Sequence, residues 1–275
     1  MQISEIISTA ASQIKSTTPK LDAEILLAHV LNKDRSFLFS HSDEKVEKKS
    51  IDEFEKLVAR RVNGEPIAYI VGHQGFWDIC VNVNKNTLIP RPETELLVEK
   101  CLGLIGEQEN KIVADLGTGS GAIAIALAKE KPSWKIIATD ISEESLEVAR
   151  ENAKLNNVKN IDFYQGDWGE ALPEQKFDMI ISNPPYIEEN HACLKEGDVQ
   201  FEPIRALTSG EDGLDAIRAI AQQAKRHLKE GGILLIEHGY NQQKRIVDIL
   251  NKEGYKKNCG IVDLSNLDRV VIARW

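Results

Sequence analysis

The sequence predicts an α/β protein in which a small helical domain precedes a doubly wound, mostly parallel β-sheet. From Lys111 onward, short apolar runs alternate with segments of helical spacing, which is the order of elements in a parallel sheet covered by helices. Before Gly64 the apolar residues follow helical spacing only. A chain of 275 residues is long enough for one large domain and one small one.

The first 73 residues are predicted to form the helical domain. In "SIDEFEKLVARRVNGEP" the apolar residues recur at helical spacing until Gly64 and Pro66 end the pattern, and "LDAEILLAHVLN" predicts a second, more apolar helix. The domain contains no chemical motif. We therefore interpret His29 and His41 as structural or surface residues.

Residues 74–90 are predicted to form a β-hairpin that links the two domains. Every second residue from Trp77 to Val83 is apolar, as in a half-buried strand, and "NKN" supplies turn residues before "TLIP". "RPETELLVEKCL" then opens a helix, with Pro92 near its first position. Helix capping is one explanation of the "RPETE" residues.

Residues 91–275 are predicted to form the sheet domain. The expected strands are "KIVADLG", "WKIIATD", "IDFYQGD", "FDMIISN" and "ILLIEHG", and the tail from Gly254 supplies two more. The expected helices are "AIAIALAKE", "SEESLEVARENAKLNN" and "LDAIRAIAQQAKRHLKEGG". Such sheets bind ligands at the carboxyl ends of their strands, so we expect the chemistry there.

Composition and charge argue against several classes of function. The net charge is −9, whereas proteins that follow a nucleic-acid backbone carry a basic balance or stripe. No apolar run approaches the roughly 20 residues of a membrane span, and the N-terminus lacks a signal-peptide pattern, so we expect a cytoplasmic protein without membrane contact. The cysteines lack metal-ligand spacing, which predicts no metal site and reduced, mostly buried thiols at Cys80, Cys101, Cys193 and Cys259.

The stretch "DLGTGSGAIA" lies between a predicted strand and a predicted helix. Its small residues let the backbone approach a ligand closely, and the helix N-terminus adds donors. The predicted cofactor-binding residues here are Gly117, Thr118, Gly119, Ser120 and Gly121. Because Ala122 also completes a dinucleotide fingerprint, this motif leaves a nicotinamide dinucleotide and S-adenosylmethionine both open.

Two aspartates end the next two strands. Asp140 follows the glycine loop by about 20 residues, where a carboxylate can accept both hydroxyls of a ribose. Asp167 is positioned for an adenine amine, with Trp168 beside it as a flat apolar neighbour. The structural alternatives are a helix N-cap for Asp140 and a turn residue for Asp167.

The turn "NPPY" follows the fourth predicted strand, and its two prolines fix two φ angles. The side-chain oxygen of Asn183 and the carbonyl of Pro184 could accept both hydrogens of one planar –NH2 group, and Tyr186 could cover its face. This arrangement suits methylation of an amide or aromatic amine, whose delocalised lone pair must be aimed at the methyl group. Positioning can supply on the order of 7–11 kcal/mol. The alternative is a tight turn after a strand.

A set of segments spread over nearly the whole chain carries a family resemblance. The segments are "GEPIAYIVGHQGFW", "LIPRPETE", "DLGTGSGAIAIALA", "FDMIISNPPYI", "FEPIRAL" with "GEDGLD", and "LKEGGILLIEHG". Together they resemble the HemK/PrmC-type glutamine methyltransferases that modify class I peptide chain release factors. "NPPY" alone also occurs in methyltransferases acting on adenine, so "LIPRPETE" after a helical domain and hairpin is the more specific part.

The resemblance implies a Rossmann-like class I S-adenosylmethionine-dependent methyltransferase sheet with an antiparallel last strand. It also implies N5-methylation of the glutamine in the Gly-Gly-Gln motif of the release factor, with the helical domain docking that partner. By position, the glycine loop, Asp140, Asp167, Trp168 and Asn183 would bind S-adenosylmethionine. The glutamine would be held by Asn183, Pro184, Pro185 and Tyr186, with Asn183, Pro184 and Tyr186 as the catalytic residues.

Three other functions remain as alternatives. An adenine amino-methyltransferase acting on nucleic acid shares the chemistry, but the acidic balance disfavours it. A silent S-adenosylmethionine-binding partner is hard to reconcile with an intact "NPPY", and a dehydrogenase lacks a hydride-transfer acid/base set. We interpret His191 and His238 as packing residues, whereas Glu202 and Arg205 could shape the substrate mouth.

Overall fold

The computed structural model describes all 275 residues, which form two units. Met1–His73 and Ala192–Phe201 make up the helical unit, and Gln74–His191 and Glu202–Trp275 make up the sheet unit. The sequence did not predict that residues 192–201 join the helical unit. The docking role of residues 1–73 stays a prediction.

The helical unit packs its helices around its own apolar core. The helices are α1 (Ile3–Ala11), α2 (Pro19–Leu31), α3 (Arg35–Ser40), α4 (Lys48–Val62) and α5 (Ile67–Val71). Proline opens α2, and the Asp34 side chain accepts the Phe37 amide at 2.7 Å to cap α3. Arg61 is nearly buried and pairs with Asp22 at 2.8 Å and Asp198 at 2.7 Å, which ties the 192–201 segment to α2 and α4.

The sheet unit contains the remaining helices and strands. The helices are α6 (Glu95–Ile105), α7 (Ala122–Glu130), α8 (Glu143–Leu155), α9 (Asp215–Ala224) and α10 (Gln243–Glu253). The strands of the main sheet are β3 (Ile112–Leu116), β4 (Lys135–Asp140), β5 (Ile161–Gln165), β6 (Phe177–Ser182), β7 (Leu228–Glu237), β8 (Lys256–Val262) and β9 (Asp268–Arg274). A separate two-stranded sheet pairs β1 (His73–Phe76) with β2 (Ile79–Asn82).

The main sheet confirms the predicted topology. Its order is β5-β4-β3-β6-β7-β9-β8, and the pairs from β5 to β7 are parallel, while β9 is antiparallel to both of its neighbours. After β3 the chain adds β4 and β5 on one side and then returns to place β6 on the other. The strand order therefore reverses between β3 and β6, and a crevice opens outside their carboxyl ends.

The strand predicted from Trp77 to Val83 is confirmed in part, as β2 (Ile79–Asn82) with alternating burial, but it does not include Trp77. Trp77 has a φ of +54° and forms the turn between β1 and β2 with Asp78. Its backbone N–H donates to Glu95 at 2.8 Å and its indole N–H to Glu130 at 2.7 Å. These two carboxylates hold the residue in the turn, and no strand follows "NKN".

Near the end of the chain, the extent of one predicted helix was wrong and one helix was not predicted. The predicted helix "LDAIRAIAQQAKRHLKEGG" ends at Ala224, because Leu228 already pairs with Phe177 in the sheet. Helix α10 was not predicted, although its buried Ile246 and Leu250 are four residues apart. The two strands predicted in the tail are confirmed as β8 and β9.

The cysteines differ from the expectation that most are buried. Only Cys101 is buried, whereas Cys80 and Cys259 are exposed. The cysteines form no disulfide, and no cluster of three or more His, Cys, Asp or Glu side chains could hold a metal ion. None of the helices is both long enough and apolar enough to cross a membrane.

Candidate active site

A cavity of about 300 Å³ lies at the carboxyl ends of β3, β4 and β6. Nine of the sequence-predicted site residues line it: Gly117, Thr118, Gly119, Ser120, Asp140, Asp167, Trp168, Asn183 and Pro185. Gly121, Pro184 and Tyr186 do not. The predicted crevice is thus formed mainly by the residues that the motifs singled out.

The three glycines of the loop after β3 have different physical reasons to be glycine. All have positive φ angles, +73° at Gly117, +56° at Gly119 and +83° at Gly121. A Cβ on Gly117 would lie 2.7 Å from the Trp168 ring, and one on Gly121 would lie 3.1 Å from the Ala149 methyl. At Gly119 nothing lies within 4 Å, so the cavity is open to a ligand there.

The backbone amides of this loop are engaged within the protein. The N–H groups of Gly117 and Thr118 both donate to the Thr139 carbonyl at 2.9 Å, and that of Gly119 donates to Asp140 Oδ2 at 2.9 Å. A dinucleotide site would need such donors for its pyrophosphate. The loop therefore fits a ligand without phosphates better than a dinucleotide.

Asp140 and Asp167 both face the cavity. Asp140 Oδ1 accepts the Ser142 amide at 2.9 Å, and burial raises the pKa of Asp140 although these backbone donors lower it. The carboxylate has lone pairs left for two further hydroxyl donors. The residue that caps α8 is Ser142, so the N-cap alternative for Asp140 was wrong. Asp167 makes no capping bond, and burial raises its pKa as well.

The Asn183–Tyr186 turn lies on the opposite side of the crevice. Asn183 Nδ2 donates to Thr94 Oγ1 at 3.1 Å, which leaves the side-chain oxygen to accept another group. Pro184 is buried, and Pro185 lines the cavity. The Tyr186 side chain hydrogen-bonds to Glu237, and burial raises its pKa. The ring face of Tyr186 is not part of the cavity wall.

The "RPETE" segment does more than cap a helix. Arg91 forms an ion pair with the fully buried Glu202 carboxylate, which also accepts the Ile89 amide at 3.1 Å. Thr94 lines the cavity, and Glu95 holds Trp77. Sequence reasoning assigned no site role to Thr94, because helix capping was one explanation of "RPETE" and the segment otherwise served only as part of the family resemblance.

The residues whose roles the sequence left open are now located. Arg205 lines the cavity and donates to Ser142 Oγ at 2.6 Å, near enough for its charge to act on Asp140. The Glu202 side chain is fully buried and does not line the cavity. His191 and His238 do not line the cavity, and burial lowers the pKa of His238.

Two family models match this chain. A model described as the PrmC N-terminal domain matches residues 5–72, and one described as a methyltransferase domain matches residues 107–269. The chain is 43% identical to the release factor glutamine methyltransferase of Coxiella burnetii and 40% identical to that of Escherichia coli K12. Each alignment covers 100% of this chain and 99% of the relative.

The chain belongs to the release factor glutamine methyltransferase family. Solved structures agree with this assignment at the level of the fold. A methyltransferase from Pyrococcus furiosus matches with a TM-score of 0.54 at 20% identity, over 78% of this chain and 96% of that one. The sheet unit has the Rossmann-like class I methyltransferase fold that the family resemblance implied.

Proposed function

We propose that this protein transfers a methyl group to the side-chain amide nitrogen of the glutamine in the Gly-Gly-Gln motif of class I peptide chain release factors. Membership of the release factor glutamine methyltransferase family supports this proposal. The observation that carries it is Asn183, whose amide nitrogen is engaged by Thr94 while its oxygen is left as an acceptor at the cavity.

The residues present fit S-adenosylmethionine as the methyl donor. Gly119 leaves the cavity open, the Asp140 carboxylate can accept ribose hydroxyls, and Asp167 and Trp168 suit an adenine ring. When bound, S-adenosylmethionine supplies a methyl group whose bond to a cationic sulfur breaks with the electron pair left on sulfur, which gives S-adenosylhomocysteine. Asn183 is proposed to contact the donor as well as the substrate.

The substrate side of the reaction depends on orientation. The Asn183 side-chain oxygen and the Pro184 carbonyl are proposed to accept the two N–H groups of the glutamine amide, while Pro185 and Tyr186 complete the turn that positions them. The amide nitrogen gains the methyl group and releases one proton to water. No strong general base is required, because the methylated nitrogen becomes acidic and loses its proton readily.

The partner and the location are part of the same proposal. A release factor is the protein substrate, docked by residues 1–73, and the enzyme makes no direct contact with nucleic acid and works in the cytoplasm. The net charge of −9 supports a protein rather than a nucleic-acid substrate. An adenine amino-methyltransferase is the alternative, and the dehydrogenase reading has little support because the loop amides are engaged.

Transfer of a labelled methyl group tests this proposal. Purified release factor and a copy with the Gly-Gly-Gln glutamine changed to alanine are incubated with the enzyme and labelled S-adenosylmethionine. Label in the first protein and none in the second is expected. Label in both would move the target residue, and label only in added nucleic acid would favour the adenine alternative. S-adenosylmethionine binding without any transfer would favour a silent partner protein.

A further inference from the structure

A buried carboxylate lies behind the Asn183–Tyr186 turn. Glu237, the last residue of β7, is 1% exposed, and its Oε2 has no hydrogen-bond partner. The hydroxyl groups of Thr94 and Tyr186 face this carboxylate as hydrogen-bond donors. An ionisable group is rarely buried in this way, and the methyl-transfer scheme above gives it no role.

The hydrogen bonds from Glu237 continue to Asn183 through one hydroxyl group. An ionised carboxylate can only accept, so the Thr94 hydroxyl donates its single hydrogen to Glu237. Thr94 Oγ1 can then only accept from the next residue, and it accepts from Asn183 Nδ2 at 3.1 Å. The donor-to-acceptor direction of this chain of hydrogen bonds decides which end of the Asn183 amide faces Thr94.

This direction matters because the two ends of an asparagine amide have nearly the same shape. With Nδ2 held by Thr94, the oxygen is the end that remains for a substrate N–H. A flipped amide would present a donor to a donor and repel the glutamine –NH2 group. Packing alone distinguishes the two orientations poorly, whereas an acceptor-only group at the end of the chain distinguishes them completely.

We propose that Glu237 and Thr94 are positioning residues that fix the Asn183 amide with its oxygen toward the substrate nitrogen. This inference rests on the proposed function, since it assigns the source of the orientation that methyl transfer to an amide needs. The same carboxylate also holds Tyr186, so it fixes both ends of the "NPPY" turn.

The protonation state of Glu237 controls the direction of the hydrogen bonds from Glu237 through Thr94 to Asn183. Burial raises the pKa of Glu237 to about 7, and the charged or titratable groups that face it are Arg269, Glu93 and Tyr186. A protonated Glu237 can donate to Thr94, which then donates to Asn183 and favours the flipped amide. The reactive orientation needs the ionised form, so kcat is expected to fall as the pH drops through about 7.

Two substitutions at Thr94, similar to threonine in size, test this chain of hydrogen bonds. Thr94→Val removes the hydroxyl with little change of shape, whereas Thr94→Ser keeps it. We expect kcat for release-factor methylation to fall about 10- to 100-fold in Thr94→Val, as for other residues that orient a contacting group, and to recover to within about threefold of the parent in Thr94→Ser. The Kd for S-adenosylmethionine should stay within about twofold in both variants.

The outcomes separate the inference from the function on which it rests. A parent enzyme that does not methylate release factor would contradict the proposed function itself. A methylating parent with an unimpaired Thr94→Val, or with Thr94→Ser as impaired as Thr94→Val, would contradict the positioning role alone. If Thr94→Val loses S-adenosylmethionine affinity as much as kcat, Thr94 serves the cofactor site and the inference is wrong.

The pH profile of Glu237→Gln supplies an independent readout. Glutamine has nearly the same shape but does not ionise between pH 5 and 9, so this variant should lose the acidic limb of the kcat profile that the parent shows near pH 7. We expect kcat at pH 8 to be about tenfold below the parent, because the glutamine amide can either donate to or accept from Thr94. Persistence of the same limb in Glu237→Gln would assign it to another group, such as Asp115, and would overturn the inference.

Discussion

The two sides of the crevice are built by different means. The proposed cofactor side, Gly117–Gly121 with Asp140, is held by hydrogen bonds from its backbone amides to Thr139 and Asp140 at the end of β4, and its three glycines have positive φ angles. The proposed substrate side, Asn183–Tyr186, is held by side chains from distant parts of the chain, Thr94 and Glu237. The first set of contacts joins the ends of two paired strands, β3 and β4, whereas the second comes from side chains outside the turn and contains a titratable group.

Removal of the Asn183 side chain should impair the substrate side far more than the cofactor side. In Asn183→Ala we expect kcat to fall by roughly three orders of magnitude, because the acceptor that orients the reacting amide is lost. The Kd for S-adenosylmethionine should rise far less, by about threefold or less, since the glycine loop and Asp140 are unchanged. Single-turnover methylation and titration calorimetry measure the two quantities.

Asn190→Ala is the matched control for this prediction. Asn190 is exposed and does not line the cavity, so its removal should leave both quantities at the parent values. Equal losses of kcat and cofactor affinity in Asn183→Ala would mean that Asn183 serves the cofactor side or the fold.

Ionisation of the buried Glu237 carboxylate should lower the free energy of unfolding at high pH. Its folded-state pKa is about 7 against an ordinary value of 4.5, so its stabilising contribution is present below pH 4.5 and is lost as the pH rises through 7. The loss amounts to about 3 kcal/mol. The free energy of unfolding of Glu237→Gln minus that of the parent should therefore rise by about 2–3 kcal/mol from pH 5 to pH 8.5.

Urea denaturation at the two pH values measures this gain. Burial also raises the pKa of Asp115 to about 7, but Asp115 is present in both proteins and its contribution cancels in the comparison. Parallel pH dependences in Glu237→Gln and the parent would show that Glu237 does not titrate in this range.

The cofactor side should instead be sensitive to backbone geometry. Gly117→Ala places a methyl group at a φ of +73° and 2.7 Å from the Trp168 ring, so we expect a loss of about 2–3 kcal/mol in free energy of unfolding. In Gly119→Ala the φ angle is also positive but the new methyl group meets no atom within 4 Å, so the free energy of unfolding should fall by only about 1 kcal/mol. Thermal and urea unfolding of both variants would test the difference, and equal losses would rule out the Trp168 contact as its cause.

Sequence patterns could predict that the glycine loop, Asp140 and the "NPPY" turn lie together, because the strands before them are recognised from local patterns. The glycine loop, Asp140 and the "NPPY" turn each follow a strand, and a parallel sheet brings such ends to one edge. Thr94 could not be assigned in this way, because it contacts Asn183 from 89 residues away. The sequence contains a weaker signal for Glu237, which is a carboxylate at the end of the apolar run "ILLIEHG", in the buried second half of β7.

The same reasoning explains the errors in the fold. The Trp77 turn depends on Glu95 and Glu130, and the early end of α9 depends on the pairing of Leu228 with Phe177. Both are long-range contacts that override a local pattern. Periodicity predicted the buried strands and α7 and α8 correctly, because those segments satisfy their pattern within one element.

Mass spectrometry of the Gly-Gly-Gln peptide tests the central claim most directly. Release factor is incubated with S-adenosylmethionine and either the parent enzyme or Asn183→Ala, and fragmentation locates any added methyl group. One methyl group on the glutamine side chain with the parent, and almost none with Asn183→Ala, is the predicted result. An unmodified glutamine with the parent enzyme, or equal methylation by both proteins, would contradict the claim that this cavity methylates that amide through Asn183.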